Sequence, residues 1–286
     1  MAPDAVPPIA GPNALAGVDV GLSVSTSPDL ARLGLHESHV ELTLGELARV
    51  VILGGGRLVY GGHLEPGGYT AFLQGEIEKY GRPRCLLVCL PFPVHRELAL
   101  EELERAEAML GVKGEIEYLT ADGVPGARDA DRGTAPVPVD DPELRASALT
   151  AMRRHVTVVC DARVLVGGRR DRFQGKMPGV IEEVIFAIRA AQPVFLAGGF
   201  GGATHDAATA LGLPVEGWPQ LTLEHGSWLD VLTDAARESS FDLSSNGLTE
   251  AQNLRLSATH RPSDIATLVA VGLGRLRRDR RLDAST

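Results

Sequence analysis

Cysteine is scarce in this chain: Cys85, Cys89 and Cys160 are the only three in 286 residues. An odd number in a chain this long argues against a secreted disulfide framework and for a reducing compartment. No zinc-binding spacing is present, so no metal site is expected. Cys85 and Cys89 flank Leu86, Leu87 and Val88, where they read as small core hydrophobes. No run of 18 apolar residues occurs, which removes a membrane-spanning helix. The first residues carry Pro3, Pro7, Pro8 and Pro12 but no cationic start followed by an apolar stretch. They read as a disordered leader over residues 1–15 rather than a signal peptide, and the expected location is cytoplasmic. Positive charge is also short, with 28 Lys and Arg against 37 Asp and Glu and a net charge of −9. Coating of DNA by phosphate neutralisation is therefore not expected, which leaves room for a small anionic ligand held by local cations. The Walker pattern Gly-x4-Gly-Lys-Ser/Thr is missing. The dinucleotide fingerprint is missing too, because Thr204 stands where its third glycine or alanine belongs.

What is present is enough apolar sequence for a core, 44% of residues against 23% charged. Strand and helix signals alternate. Residues 18–26 read as a strand, followed by helical spacing of Val40, Leu44, Leu47 and Val51; residues 57–60 give a short strand and 69–80 a helix. Residues 84–90 form a continuous apolar strand of the kind buried on both faces, with a charged helix over 97–110 and a strand over 115–120. Residues 121–142 read as a long loop that is mobile or covers a site. A helix over 142–154 precedes a strand at 162–166, a glycine-rich loop at 167–178 and a helix with Ile181, Val184, Ile185 and Ile188. A strand at 193–197 leads into a GGFGG turn and a short helix over 203–211. This order predicts a Rossmann-like α/β fold, a doubly wound parallel sheet over residues 16–215, with residues 216–286 as a C-terminal helical extension packed on it. In that extension Thr249 and Gln252 form a capping box, and a later helix carries Ile265, Leu268, Val269 and Leu276. Arg275, Arg277, Arg278, Arg280 and Arg281 at the chain end suit a helix C-terminus.

In such a sheet, ligands bind beyond the carboxyl ends of the strands. Glycine-rich stretches cluster there: Gly54, Gly55 and Gly56 before a strand with Gly61 and Gly62 after it, then Gly167 and Gly168, then Gly198, Gly199, Phe200, Gly201 and Gly202. Glycine lets a backbone approach phosphate and present its amides. The segment DARVLVGGRRDRFQGKMPGVIEE is the most informative. It reads as a strand, a loop with Arg169, Arg170, Arg172 and Lys176, then a helix opened by Pro178 and Gly179 with Glu182 and Glu183 in its first turn. This supplies cations for a phosphate, and a carboxylate for ribose hydroxyls or acid–base work. At most one of the two glutamates is expected to face the site. His36 and His39 are spaced as metal ligands but lack a third, so they read as solvated polar residues. Asp206, at a helix start, reads as favouring the helix dipole. Trp218 and Trp228 read as core or interface residues.

Taken in order, Gly-x-Ser at residues 21–23, LGGGRLVYGGHLEPGGYT, MRR at 152–154, DARVLVGGR and GKMPGVIEEVIFAI resemble the SLOG superfamily. That group holds Lonely Guy phosphoribohydrolases, DNA-processing Smf/DprA domains and the nucleotide-sensing domains of prokaryotic conflict systems and TRPM channels. GLTEAQNLRL also resembles the C-terminal part of the conflict-system members. The resemblance implies binding or sensing of a nucleotide signal, ADP-ribose-like or a cyclic ADP-ribose derived from NAD, in a defence or signalling context. Phosphates would lie on loops 167–179 and 198–202, neutralised by Arg169 and Lys176. Glu183 or Glu182 would hold ribose, and Ser23 and Ser25 would contact the nucleotide. Alternatively, the resemblance implies hydrolysis of the N-glycosidic bond of a nucleoside monophosphate, with Arg153 or Arg154 and Glu182 or Glu183 as the catalytic pair. MPGVIEE in place of PGGxGTxxE and MRRH in place of M-x-x-R-K depart from the hydrolase pattern. The expected partners are the nucleotide, a second copy of the chain and an effector protein in trans, with no cofactor and no DNA.

Overall fold

The computed structural model describes residues 13–80, 82–130, 132–215 and 228–283. Seven strands form one sheet: β1 (Asp19–Ser25), β2 (Arg57–Gly61), β3 (Leu86–Leu90), β4 (Gly114–Leu119), β5 (Pro125–Gly126), β6 (Ala162–Gly167) and β7 (Val194–Ala197). Their order is β5-β4-β3-β2-β1-β6-β7, and every neighbouring pair is parallel except β4 with β5. Helices α1 (Glu37–Leu53), α2 (Tyr69–Ile77), α3 (Phe92–Arg96), α4 (Leu100–Leu110), α5 (Pro142–Val159) and α6 (Gly179–Arg189) connect the strands. After β7 come α7 (Gly202–Ala210), α8 (Trp228–Glu238), α9 (Glu250–Ala258) and α10 (Pro262–Asp283). This is an α/β Rossmann-like fold.

Alternation along the strands sorts the core into two layers. Leu22, Leu58, Tyr60, Val88 and Val164 point into one with Leu44 and Leu47 of α1, Leu73 of α2, and Ile265 and Val269 of α10. Val59, Leu87 and Cys89 point the other way, onto Leu149, Met152 and Val156 of α5. Leu165 and Leu196 share that second face with α6, α7 and α8. Because both faces are covered, β3 is buried at every residue, which is why its sequence is an unbroken apolar run.

Local chemistry sets the helix ends. Asp141 accepts from the Glu143 amide at 2.9 Å, with Pro142 opening α5. Thr249 and Gln252 cap α9 reciprocally, as their spacing predicts. At the start of α1 the His36 amide donates to Nδ1 of His39 at 3.1 Å, so these histidines form a cap rather than standing separately in solvent.

Several expectations are corrected. The helix at 142 runs to Val159, beyond Arg154, because its inward positions there include His155 and Thr157, whose polarity hides the helical period. The short α3 lies between Pro91 and Glu97, in a segment too short for a periodic signal. Loop 121–142 is pinned along the β4 edge. Its two-residue β5 pairs with β4, Arg128 binds Glu104 and Glu107, and Arg132 binds the carbonyls of His95, Leu98 and Ala135. Leu15, inside the expected leader, is buried, and its amide donates to Gly54 O at 2.6 Å. Residues 1–12 lie outside the described residues, as does Trp218; Trp228 begins α8 and packs partly buried on that helix's core. Among the described residues no helix is long and apolar enough to cross a membrane.

Candidate functional site

The strand order reverses at β1: β2 follows it on one side, and β6 returns on the other. The loop leaving β1 climbs toward α1 on one face and the loop leaving β6 toward α6 on the opposite face. A crevice therefore opens between them at the carboxyl edge, where doubly wound sheets take their ligands. Gly54, Gly55 and Gly56 do not reach it. They join α1 to β2 and so lie at the amino edge, as every helix-to-strand link of a parallel sheet must.

On the β6 side, Gly167 (φ 68°) and Gly168 (φ 109°) turn the chain out of the sheet in the left-handed region that favours glycine. The Gly168 amide donates to Ser25 O at 3.1 Å, and the Arg169 amide to Ser25 Oγ at 3.3 Å, so the two loops touch at their roots. Arg169 and Lys176 are exposed on this loop, Phe173 beside them is 36% exposed, and Pro178 is buried at the start of α6.

Arg170 behaves differently from its neighbours. Its guanidinium is buried and forks onto Asp206, with Nε to Oδ2 at 2.6 Å and Nη2 to Oδ1 at 2.8 Å, while Nη1 binds Asp29 Oδ2 at 2.5 Å. Burial alone would lower its pKa, but the hydrogen bonds and charges of Asp206 and Asp29 outweigh burial and raise it. Asp29 also accepts from the Gly202 amide at 2.8 Å. One cation thus clasps the β1–α1 loop, the β6–α6 loop and α7. Asp206 serves this clasp and not merely the helix dipole.

The clasp changes the reading of loop 198–202. All five residues are buried, the Gly201 amide donates to Gly198 O, and the Gly202 amide is taken by Asp29. A Cβ on Gly199 would lie 2.0 Å from Thr259 O, and one on Gly198 2.7 Å from Ser257 O. Glycine here lets the end of α9 approach the backbone, and the anion at the α7 start is the protein's own carboxylate. Gly61 and Gly62 lie half-buried at the end of β2, where Met152 and the Tyr60 ring occupy the space a side chain would need.

Beneath the crevice, between α5, α6 and the sheet, lies a buried polar seam. Glu182 accepts from Thr150 Oγ1 at 2.8 Å and from Arg153 Nη1 at 2.5 Å. Arg153 lies against the β6–α6 loop, its Nη2 only 2.6 Å from the position a Gly179 Cβ would take. Arg154 instead projects outward over the Phe186 ring at 5.2 Å, so of the two arginines only Arg153 meets a glutamate. Glu183 points at the sheet, 3.9 Å from Arg163 of β6. Arg163 has no exposed surface; it reaches Ser23 Oγ at 3.3 Å and Thr157 Oγ1 at 2.8 Å. Glycine at position 21 leaves room for its Nε. On the other face of the sheet the buried Tyr60 phenol is pushed up, by burial and then by the charge of Glu183. Both glutamates are therefore buried and cation-paired, one toward α5 and one toward the sheet. A carboxylate so placed can accept from a diol or move a proton at a glycosidic oxygen.

The structure thus brings together Ser23, Ser25, Gly167, Gly168, Arg153, Pro178, Gly179, Glu182 and Glu183 and sets exposed Arg169 and Lys176 on the rim. Sequence reading missed Asp29, Tyr60, Thr150, Thr157 and Arg163. Of these, only Arg163 carried a signal: a charge inside an apolar strand demands a buried partner.

No curated protein and no solved structure matches the chain. A family model described as SLOG cluster2 matches residues 14–256, most of the chain and all the elements that build the crevice. Membership supports a nucleotide-related function in general. The chain belongs to the SLOG family, in its cluster 2.

Proposed function

We propose that the crevice between the β1–α1 and β6–α6 loops binds an ADP-ribose-like nucleotide derived from NAD, and that the domain acts as a sensor in defence or signalling. The observation that carries this reading is the loop of residues 167–179 at the switch point, with exposed Arg169 and Lys176 above a buried carboxylate pair. The two cations suit a diphosphate, Glu183 or Glu182 suits a ribose diol, and Phe173 offers a ring face to a base. Ser23 and Ser25 supply hydroxyls from β1. Loop 198–202 shapes the wall from behind. In this reading the liganded domain acts on an effector in trans and self-associates, which light scattering with and without ligand would report.

A second reading is favoured by the Arg153–Glu182 contact, which joins a basic and an acidic residue as the hydrolase reading requires. It makes the protein a nucleoside monophosphate N-glycosidase. One experiment separates the two. AMP, NAD, ADP-ribose and cyclic ADP-ribose isomers are each mixed with the purified chain, the melting temperature is read, and the mixture is analysed by mass spectrometry. A ligand at a hundredfold excess over Kd stabilises by about 2.7 kcal/mol, or roughly 5–10 °C at 2–4 °C per kcal/mol. The sensor reading expects such a shift with an ADP-ribose-like compound recovered intact. Release of free base from a monophosphate, abolished in Glu182→Gln or Glu183→Gln, would replace it with the hydrolase.

A further inference from the structure

On the side of α5 away from the seam, three chemically distinct donors converge. Cys89 of β3 and Glu117 of β4 are register partners, and His155 of α5 lies over them. His155 Nε2 is 2.7 Å from Glu117 Oε2, Cys89 Sγ is 3.8 Å from the same oxygen, and all three donor atoms lie within 4.8 Å of one another. Among the described residues no other group of three or more His, Cys, Asp or Glu comes together in this way. The sequence gives no hint of it, because the three come from separate elements and form none of the short spacings that mark a zinc site.

The donor set has the chemistry of a borderline-soft divalent ion: thiolate, imidazole and carboxylate are the zinc ligands of proteins. A tetrahedral zinc with Zn–S near 2.3 Å and Zn–N or Zn–O near 2.0–2.2 Å holds its ligand atoms roughly 3.3–3.8 Å apart. The observed separations bracket that range. Glu117, the most exposed of the three at 32%, can make the adjustment by rotating its carboxylate. Thiolate and carboxylate together balance the charge of the ion, so binding leaves no net charge in the interior. Val59, Leu87, Met152 and Val156 wall the group from water, while the exposed side of Glu117 leaves a path for the ion and for a solvent ligand.

We propose that Cys89, Glu117 and His155 bind one zinc-class divalent cation, with water in the fourth position. The ion replaces the thiol proton, which leaves to solvent, and the imidazole binds neutral through Nε2. Bound metal ties α5 to β3 and β4 and thereby steadies the helix that carries Arg153 over the seam.

The test uses the full chain stripped with a chelator and titrated with Co²⁺, then Zn²⁺. One equivalent of Co²⁺ should give a near-ultraviolet thiolate charge-transfer band with tetrahedral visible bands, all bleached by Zn²⁺. Cys89→Ser should abolish the charge-transfer band, and Glu117→Gln and His155→Gln should weaken binding by more than the about 10–100-fold cost of losing a supporting partner. Should Cys89→Ser not fold, the Gln variants, checked by melting, carry the test. Absence of the band, affinity unchanged in both Gln variants, or loss of binding only in His36→Asn/His39→Asn would overturn the proposal.

Discussion

Arg170→Ala probes the clasp that shapes the crevice. The Arg170, Asp29 and Asp206 side chains are only 6–7% exposed. Removing the cation leaves two carboxylates facing each other out of water, and breaking a buried pair in this way costs about 3–5 kcal/mol. For a chain of this size that corresponds to a melting temperature lower by roughly 6–20 °C. The contrast is Arg105→Ala. Arg105 pairs with Glu101 at the surface, 66% and 81% exposed, so its loss should stay within about 0.5 kcal/mol. The assay is urea unfolding followed by circular dichroism, with ΔΔG taken from the midpoints at fixed slope. Asp29→Asn/Arg170→Met/Asp206→Asn, which removes every charge together, should recover much of the loss because no unpaired ion remains. Arg170→Lys keeps the charge without the planar fork and should fall between. A loss below about 1 kcal/mol for Arg170→Ala would mean that water solvates these carboxylates and that the clasp does not set the crevice.

Gly199→Ala places a Cβ 2.0 Å from the Thr259 carbonyl oxygen and must push back the end of α9, so a loss of about 1–3 kcal/mol in thermal unfolding is expected. Gly75→Ala at an exposed position of α2, with nothing within 4 Å of its Cβ, should instead stabilise by about 0.5–1 kcal/mol; equal effects of the two would refute the packing role of loop 198–202. Burial holds His95 below its ordinary pKa, and burial, with the charge of Arg170, holds His205 below its own against the raising charges of Asp206 and Asp29. A histidine depressed in the folded chain is protonated first in the unfolded chain. Stability is therefore complete above about pH 6.5 and declines as pH falls toward the folded values. His205→Gln should flatten that decline in urea midpoints, and an unchanged pH slope would contradict the assignment.

Much of this architecture was legible because it rests on repetition and short-range chemistry. The unbroken apolar run of β3, the 3-4 spacing of α1 and α6, and the Thr249–Gln252 cap each declare themselves within a few residues. The seam is a long-range object. Thr150 and Arg153 give the apolar face of α5 its polar side chains, and His155 and Thr157 near its end hid how far the helix runs. Arg163 sits in a strand that otherwise reads as plain core. Arg170 was indistinguishable from Arg169 and Arg172 by composition, although it alone turns inward, because its partners Asp29 and Asp206 arrive from other elements. The glycines of residues 198–202 signalled close approach correctly, but a sequence does not say whether the approaching group is a phosphate or a helix end.

The central claim is that the nucleotide sits against Arg169 and Lys176 at the β1–β6 crevice, and isothermal titration with ADP-ribose tests it most directly. Both side chains are exposed, so Arg169→Ala/Lys176→Ala should leave the melting temperature of the free chain nearly unchanged. The account predicts one site per chain in the wild type and a loss of at least about tenfold in affinity, some 1.4 kcal/mol, in the double variant. Equal affinity in both, or no heat from ADP-ribose or any cyclic isomer, would contradict it.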